Sequence, residues 1–263
     1  NSSRAGQIEL VVTEYGILPL SGGMRDYSNL AGSLYDADLL MAILQHPELN
    51  VTLATAWTLH DSSTELAAVH FDWATNSRWA RPQYHALELM RNYLAPKLLG
   101  TSVTSPTFGT AQVGNVAYTP SIPILGALAS TNEAGRLTLL VLNRDLSNAI
   151  TASTRFLSYT PQSSATVRTV TGPAMGANNE DNHSTVVLTT TTLSSASAMF
   201  SYTFPAHSLT LIEFQGTSVP SLPSLSGISP TSTTAPGSAF TLTVNGTNFD
   251  TSAQVKWNGA ARS

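Results

Sequence analysis

Residues 8–16 read IELVVTEYG, an apolar run from Leu10 to Val12 that closes in a threonine, Glu14, Tyr15 and a glycine. An uninterrupted apolar run of this kind predicts a strand that is buried on both faces, as in a parallel sheet. In parallel βα barrels, polar groups at the carboxyl ends of strands face the open mouth. We therefore expect the strand to carry Glu14 to such a mouth.

The chain that follows this strand alternates between helical and extended patterns. Apolar residues recur at helical spacing from Asn29 to His46, where a proline ends the helix. A second strand is predicted over residues 51–60, and after the aromatic-rich loop HFDWATNSRWARP, Pro82 opens a second helix. This alternation of strands and helices is typical of a parallel barrel or a doubly wound sheet. Two βα units cannot by themselves form a closed parallel sheet. We therefore expect the rest of that sheet outside this chain.

Beyond the second helix the pattern changes to short runs rich in β-branched residues and separated by turns. In chain order these runs are AQVGNVAYT, LTLLVLNR, ATVRTVTG, TVVLTTTTL, MFSYTF and SLTLIEF. Their spacing predicts an antiparallel β-sandwich over residues 97–217. The Pro- and Ser-rich residues 218–227 are predicted to be a linker, and Asn245-Gly246 predicts a hairpin turn in an immunoglobulin-like segment that begins at 228.

The composition excludes several classes of function. Only 11% of the 263 residues are charged and the net charge is −4, so the surface does not favour nucleic acid. Without cysteine, the chain has neither disulfides nor thiolate chemistry. The histidines have no partner at metal-ligand spacing and residues 178–182 (NNEDN) are interpreted as a solvated turn, so we predict no metal and no cofactor. No stretch has the length of a membrane span.

The order of these motifs resembles a known family. VVTEYG, SNLAGSLYDADLLMAILQHPEL and NVTLATAWTLHD resemble the seventh strand, seventh helix and eighth strand of retaining glycoside hydrolases of clan A, nearest to family 51, the α-L-arabinofuranosidases and some endoglucanases. In the β-domain, LLVLNRDLSNAI, VTGPAMGANN and FPAHSLTLIEF resemble that family as well. The resemblance implies an α/β plus all-β fold, in which residues 1–96 are the last βα units of a (β/α)8 TIM barrel and residues 97–217 a β-sandwich.

The resemblance also implies a catalytic residue. It gives Glu14 the role of nucleophile in a retaining glycoside hydrolase. This reaction needs a second carboxyl group about 5 to 5.5 Å away. Asn132-Glu133 and Asn179-Glu180 match the family's acid/base dipeptide, but they follow the nucleophile in the chain and lie on predicted turns. We therefore expect the acid/base glutamate on a missing N-terminal part or on a separate N-terminal polypeptide that completes the barrel.

Four further residues are candidates for substrate binding, and each has a structural alternative. Trp57 would stack on a sugar ring or pack in the core, and Tyr15 would orient the nucleophile or simply pack. His60 would bind hydroxyl groups or be solvated. Trp79 would form a wall of the substrate cleft, with arginine stacked on indole, or pin down its own loop.

The final segment, 228–263, resembles the start of a TIG-type immunoglobulin-like repeat, as found in exported bacterial proteins. That resemblance implies a secreted bacterial protein, extracellular or periplasmic. The expected substrate is a carbohydrate, most consistent with α-L-arabinofuranosidase activity. Two alternatives stay open: an endo-β-glucanase or glucuronidase of a related clan A family, and a non-catalytic carbohydrate-binding or surface-assembly protein.

Overall fold

The computed structural model describes residues 8–17, 28–61, 67–112, 114, 117–132, 134–216, 223–233, 239–249, 253–257 and 260–262. The chain divides into two compact units, Asn1–Val219 and Pro220–Ser263. Both are mainly strands, and the only two α-helices of the described residues lie in the first unit.

The first unit begins with alternating strands and helices. Its elements are β1 (Leu10–Tyr15), α1 (Leu30–Gln45), a 3-10 turn (Pro47–Leu49), β2 (Val51–Ala56), β3 (His60–Asp61), β4 (Val69–Asp72), β5 (Ser77–Ala80) and α2 (Pro82–Tyr93). Ten strands follow: β6 (Lys97–Leu99), β7 (Thr107–Thr110), β8 (Thr119–Pro123), β9 (Leu125–Thr131), β10 (Arg136–Asn143), β11 (Ile150–Arg155), β12 (Pro161–Thr171), β13 (Val187–Leu193), β14 (Met199–Phe204) and β15 (Ser208–Gly216).

Strands β1 and β2 pair in parallel, with α1 as the connection between them. Both strands and the two helices that the sequence predicts are therefore present. The prediction that β1 is buried on both faces is wrong for the described residues. Leu10 is 47% exposed and Val11 49%, because β2 is the single described strand that pairs with β1.

The central element of the unit is a six-stranded antiparallel sheet in the order β13-β12-β15-β10-β9-β6. Successive side chains of a strand point to opposite faces, so an apolar run such as β10 needs a cover on each side. Leu140 and Leu142 pack with residues of α1 and α2 in one core. Leu139 and Val141 pack in a second core, to which the β11–β14 pair contributes Phe200. The sheet thus lies between two helices and a two-stranded sheet.

The N-terminus of α1 is held by the segment 172–186, which connects β12 to β13. The side chain of Asn29 caps the helix by accepting a hydrogen bond from the amide of Gly32 (3.1 Å). The next free amides, those of Leu30 and Ala31, donate to the carbonyl oxygens of Ala177 and Met175 at 2.9 Å each. The segment therefore supplies acceptors for backbone amides that a helix cannot satisfy by itself.

The N-terminus of α2 is held by a buried ion pair with the same segment. Arg81 is fully buried, and its Nε donates to Oε1 of Glu180 at 2.6 Å. A second guanidinium nitrogen, Nη1, donates to the carbonyl oxygen of Ala67 (3.0 Å). The interpretation of residues 178–182 as a solvated turn is therefore wrong for Asn179 and Glu180. Asn179 is fully buried, and its side-chain amide donates to the carbonyls of Ala80 and Val186.

Three further sequence predictions fail in local detail. The predicted strand AQVGNVAYT falls between β7 and β8, and its described residues join no strand until Thr119. The predicted loop HFDWATNSRWARP contains an antiparallel hairpin of β4 and β5. Asn245 and Gly246, predicted to form a turn, lie inside a strand and pair with Gly227 and Leu225.

The second unit, considered by itself, consists of two antiparallel strand pairs among its described residues. One pair is β16 (Ser224–Ser229) with β17 (Thr243–Thr247), and the other is β18 (Val255–Trp257) with β19 (Ala260–Arg262).

The buried ion pair yields a stability prediction. We expect Glu180→Gln to lower the free energy of unfolding by about 3 kcal/mol, because it removes the negative charge that Glu180 places against the buried Arg81 guanidinium. Equilibrium denaturant unfolding followed by circular dichroism measures this change. Glu48→Gln is the control, since Glu48 is exposed and pairs with the exposed His46; it should leave stability nearly unchanged. Equal stability of the two variants would contradict the assigned role of the pair.

Candidate functional site

The carboxyl ends of β1 and β2 are offset by a β-bulge that contains Glu14. Val12 pairs with Ala54 and Tyr15 with Ala56, so three steps along β1 match two along β2. An opposite shift lies between Leu10 and Val11, so the two ends of the pair are in the same register. β-bulges are common next to active sites. Glu14 is exposed, whereas Tyr15 is buried. The end of β1 thus presents a carboxylate to solvent, at the end where parallel strands of α/β proteins bind ligands.

Backbone contacts hold Trp57 at the end of β1, against Tyr15, the residue that follows Glu14. The amide of Trp57 donates to the carbonyl oxygen of Tyr15 at 2.8 Å, and the hydroxyl of Thr55 donates to the carbonyl of Thr13. The side chain of Trp57 is 55% exposed. Gly16 follows with a φ of +151°, and a Cβ placed on it would lie 3.1 Å from the carbonyl oxygen of Trp57. The close approach of the two strand ends therefore requires glycine at this position.

A buried acid lies behind the strand end. Asp36, on α1, is 6% exposed, and its Oδ1 has no hydrogen-bond partner among the described residues. Burial raises the pKa of Asp36 from 3.8 to about 7. Burial, and then the charge of Asp36, raises the pKa of Tyr15 to about 12. Sequence reasoning missed Asp36, although its place between the apolar positions Leu34 and Ala37 was a usable signal.

His60 and Trp79 lie on the three-stranded sheet that follows β2. His60, in β3, is exposed and lines a cavity of about 460 Å³ with Phe71, Trp73, Asn76 and Arg78. Trp79, in β5, stacks on His183 with a centroid distance of 4.3 Å and 8° between the planes, and its ring also lies 4.3 Å from that of His70. The structure therefore brings Glu14, Tyr15 and Trp57 together. Trp79 packs instead against His70 and His183.

Two classes of feature are absent from the described residues. No group of three or more His, Asp and Glu side chains among them is arranged to hold a metal ion. No helix in the same part of the chain is long and apolar enough to cross a membrane.

Comparison with known proteins places the chain in a family. The sequence model of the α-L-arabinofuranosidase C-terminal domain matches residues 14–208, so the chain belongs to this family. Glu14 is the first residue of the match. The family relates the chain to glycoside hydrolase family 51 enzymes. No curated protein sequence matches the chain at a significant level.

Solved structures agree with this relationship. The thermostable family 51 α-L-arabinofuranosidase from Thermotoga petrophila is 26% identical, with a TM-score of 0.70 over 80% of this chain and 44% of that one. The arabinose complex of the Thermotoga maritima α-L-arabinofuranosidase is 25% identical, with a TM-score of 0.71 and the same coverage. The family 51 arabinofuranosidase from Xanthomonas axonopodis pv. citri, 19% identical with a TM-score of 0.64 over 81% of this chain and 42% of that one, shares the fold. The chain thus spans less than half the length of these structures.

Asp36 makes stability depend on pH. Because its pKa is higher in the folded chain than its ordinary value of 3.8, the folded state binds a proton more tightly, and stability falls as pH rises from about 4 to about 7. We expect Asp36→Asn to abolish this loss, which is on the order of 4 kcal/mol. Denaturant unfolding at pH values across that window measures it.

Asp145→Asn is a control, because the contribution of Asp145 to stability changes with pH in the opposite direction. Hydrogen bonds from the amides of Ser147 and Asn148 lower the pKa of Asp145, so its contribution to stability is present at neutral pH and is lost as pH falls through its folded pKa. A pH profile of Asp36→Asn that parallels the parent protein would show that Asp36 is not the group responsible.

Gly16 provides a second prediction for this site. We expect Gly16→Ala to destabilise the fold by about 1–3 kcal/mol, because alanine disfavours the positive φ and its Cβ would press on the Trp57 carbonyl. Thermal unfolding measures the loss. Gly100→Ala is the matched control, since a Cβ there meets nothing within 4 Å. A Gly16→Ala protein as stable as this control would refute the close approach of the strand ends.

Proposed function

We propose that the chain is the C-terminal part of a retaining glycoside hydrolase of the α-L-arabinofuranosidase type and that Glu14 is its nucleophile. The observation that carries the proposal is the exposed carboxylate of Glu14 at the carboxyl end of β1, in a bulge and beside Trp57. Membership of the α-L-arabinofuranosidase C-terminal domain family supports it. Parallel βα barrels carry their catalytic groups at this end of their strands.

The proposed reaction proceeds in two steps. The Glu14 carboxylate attacks the anomeric carbon and forms a glycosyl ester, while a second carboxylic acid protonates the departing glycosidic oxygen. That second group, now a carboxylate, then takes a proton from water, whose oxygen attacks the anomeric carbon; the bond from this carbon to Glu14 breaks, which releases the sugar and restores the Glu14 carboxylate. Glu180 does not serve as the second group, because it is buried against Arg81.

We further propose that residues 1–96 are the last βα units of a (β/α)8 barrel, with β1 and β2 as its seventh and eighth strands. The apolar surface of this pair supports the proposal: Leu10, Val11 and Leu53 are each about half exposed, as expected of strands that pack against further strands of the protein. Those strands, and the acid/base glutamate, would come from an N-terminal part or partner polypeptide. The β-sandwich of 97–217, a linker at 218–227 and a TIG-like domain from 228 complete the proposed organisation.

In this proposal Trp57 and His60 contact substrate. The indole of Trp57 offers an apolar face to a sugar ring beside the nucleophile. Tyr15 supports the nucleophile through the backbone, since its carbonyl accepts the Trp57 amide while its side chain is buried. Trp79 contributes indirectly, by fixing the hairpin that carries the cavity wall. The carbohydrate is an arabinofuranoside, and the TIG-like segment suggests a secreted bacterial protein.

Replacement of Glu14 tests the proposal. In the full-length protein, Glu14→Gln should lower the rate of 4-nitrophenyl α-L-arabinofuranoside hydrolysis on the order of 10⁴-fold, because the amide cannot form the glycosyl ester. Steady-state kinetics measures the loss. Glu9→Gln is the control, since Glu9 is an exposed glutamate just before β1. It should retain activity.

The nucleophile assignment has its own chemical signature. With Glu14→Ala, added azide should restore cleavage of an activated aryl arabinofuranoside and give a glycosyl azide of inverted configuration, because azide takes the place of the carboxylate. If Glu14→Gln keeps full activity, Glu14 is not the nucleophile. If the unmodified protein binds arabinan without cleaving any arabinofuranoside, and Glu14→Gln binds equally, the non-catalytic alternative is favoured.

A further inference from the structure

We propose that the hairpin of β4 and β5 forms a second sugar-binding subsite, which takes a uronic acid residue of the substrate near the sugar that Glu14 attacks. The inference rests on the proposed function, which makes the substrate a carbohydrate bound at the carboxyl ends of β1 and β2. The subsite is the cavity of about 460 Å³ lined by His60, Phe71, Trp73, Asn76 and Arg78.

Trp73 provides an aromatic platform in this cavity. It lies in the turn directly after β4 and is 74% exposed, the largest exposed fraction of any large apolar side chain in the described residues. Its ring meets that of Phe71 edge to face, with centroids 4.4 Å apart and 88° between the planes. This contact fixes the indole and leaves a face open to solvent. An open, fixed indole face suits the apolar side of a sugar ring.

The charges around the platform favour an anionic sugar. Arg78 is exposed, its guanidinium carbon lies 5.2 Å from the centre of the Phe71 ring, and it forms no ion pair with a carboxylate of the described residues. No lining residue of the cavity is acidic. Asp72 is engaged in its own turn, where it accepts hydrogen bonds from the amide of Ala74 (2.9 Å) and the hydroxyl of Thr75 (2.6 Å).

A guanidinium and a side-chain amide beside an indole therefore face the same space. Guanidinium groups bind carboxylates by paired, charge-assisted hydrogen bonds, and the amide of Asn76 can bind ring hydroxyls. A hexuronic acid presents both features, a ring with an apolar side and a carboxylate at its edge.

The cavity lies within reach of the nucleophile along the chain. His60 follows Ala56, the last residue of β2, by four residues, which span at most about 14 Å. The start of this connection is fixed beside Glu14 by the hydrogen bond from the Trp57 amide to Tyr15. The far end is fixed by the pairing of His60 with Val69 of β4. A short oligosaccharide can therefore occupy both positions.

Hydrolysis of two substrates tests the subsite in the full-length protein. The readout is the ratio of kcat/KM for an arabinofuranosyl oligosaccharide that contains a uronic acid to kcat/KM for 4-nitrophenyl α-L-arabinofuranoside. Trp73→Ala and Arg78→Gln should each lower this ratio about 10-fold, and Arg78→Lys should lower it less. Tyr118→Ala, which removes another exposed aromatic side chain, should leave the ratio unchanged.

Binding provides an arm that does not depend on hydrolysis. Isothermal titration of the same oligosaccharide into Glu14→Gln protein should give a Kd that rises about 10-fold when Trp73→Ala or Arg78→Gln is added. If binding depends on these residues but the unmodified protein cleaves no arabinofuranoside, the proposed function fails and the subsite stands.

Two results would overturn the subsite. If neither variant changes the ratio or the Kd, the hairpin does not bind substrate. If Trp73→Ala weakens binding of neutral and acidic oligosaccharides equally while Arg78→Gln changes neither, the uronic acid assignment is wrong.

Discussion

The six-stranded sheet must be covered on both faces, and the rest of the first unit follows from this requirement. Strand β10 has apolar residues on both of its faces and is buried at every position but the first, so neither face can be left in water without a large cost. The β11–β14 pair covers one face with Phe200 and Phe204. Helices α1 and α2 cover the other face with Leu34, Met41 and Leu89. The two helices are therefore as much part of the β-domain core as of the βα units that contain them.

Polar contacts then fix the helices in position on that apolar face. Hydrophobic contact is non-directional and does not by itself set the orientation of a helix. The direction comes from α1 amides that donate to the 172–186 segment, from the buried pair of Arg81 and Glu180, and from the ion pair of Arg144 with Asp38 on α1. Since α1 connects β1 to β2, these contacts also set where the two strands end. The β-domain thus acts on the candidate site at a distance, by positioning the helix between its two strands.

The sequence predicted the elements with strong periodicity and missed those that depend on distant partners. The two helices, the parallel strand pair and most β-domain strands could be predicted because their apolar residues recur at regular spacing. The role of Glu180 could not, because its partner Arg81 is 99 residues away and a polar run such as NNEDN looks solvated in isolation. Asn245-Gly246 illustrates the converse: a dipeptide with strong turn preference pairs within a strand, since pairing partners override local propensity.

At the candidate site, too, one feature could be predicted from the local sequence and another could not. The position of Glu14 at a strand end followed from the apolar run before it. The bulge did not, because it depends on the register between β1 and β2, which two separate segments determine together. Neighbouring residues of a strand point to opposite faces, so Glu14 and Tyr15 differ in exposure. Tyr15 is buried and Glu14 is exposed to solvent. The role proposed for Glu14 needs a carboxylate that is accessible yet fixed, and a side chain on a strand held by Thr55 and Trp57 satisfies both conditions.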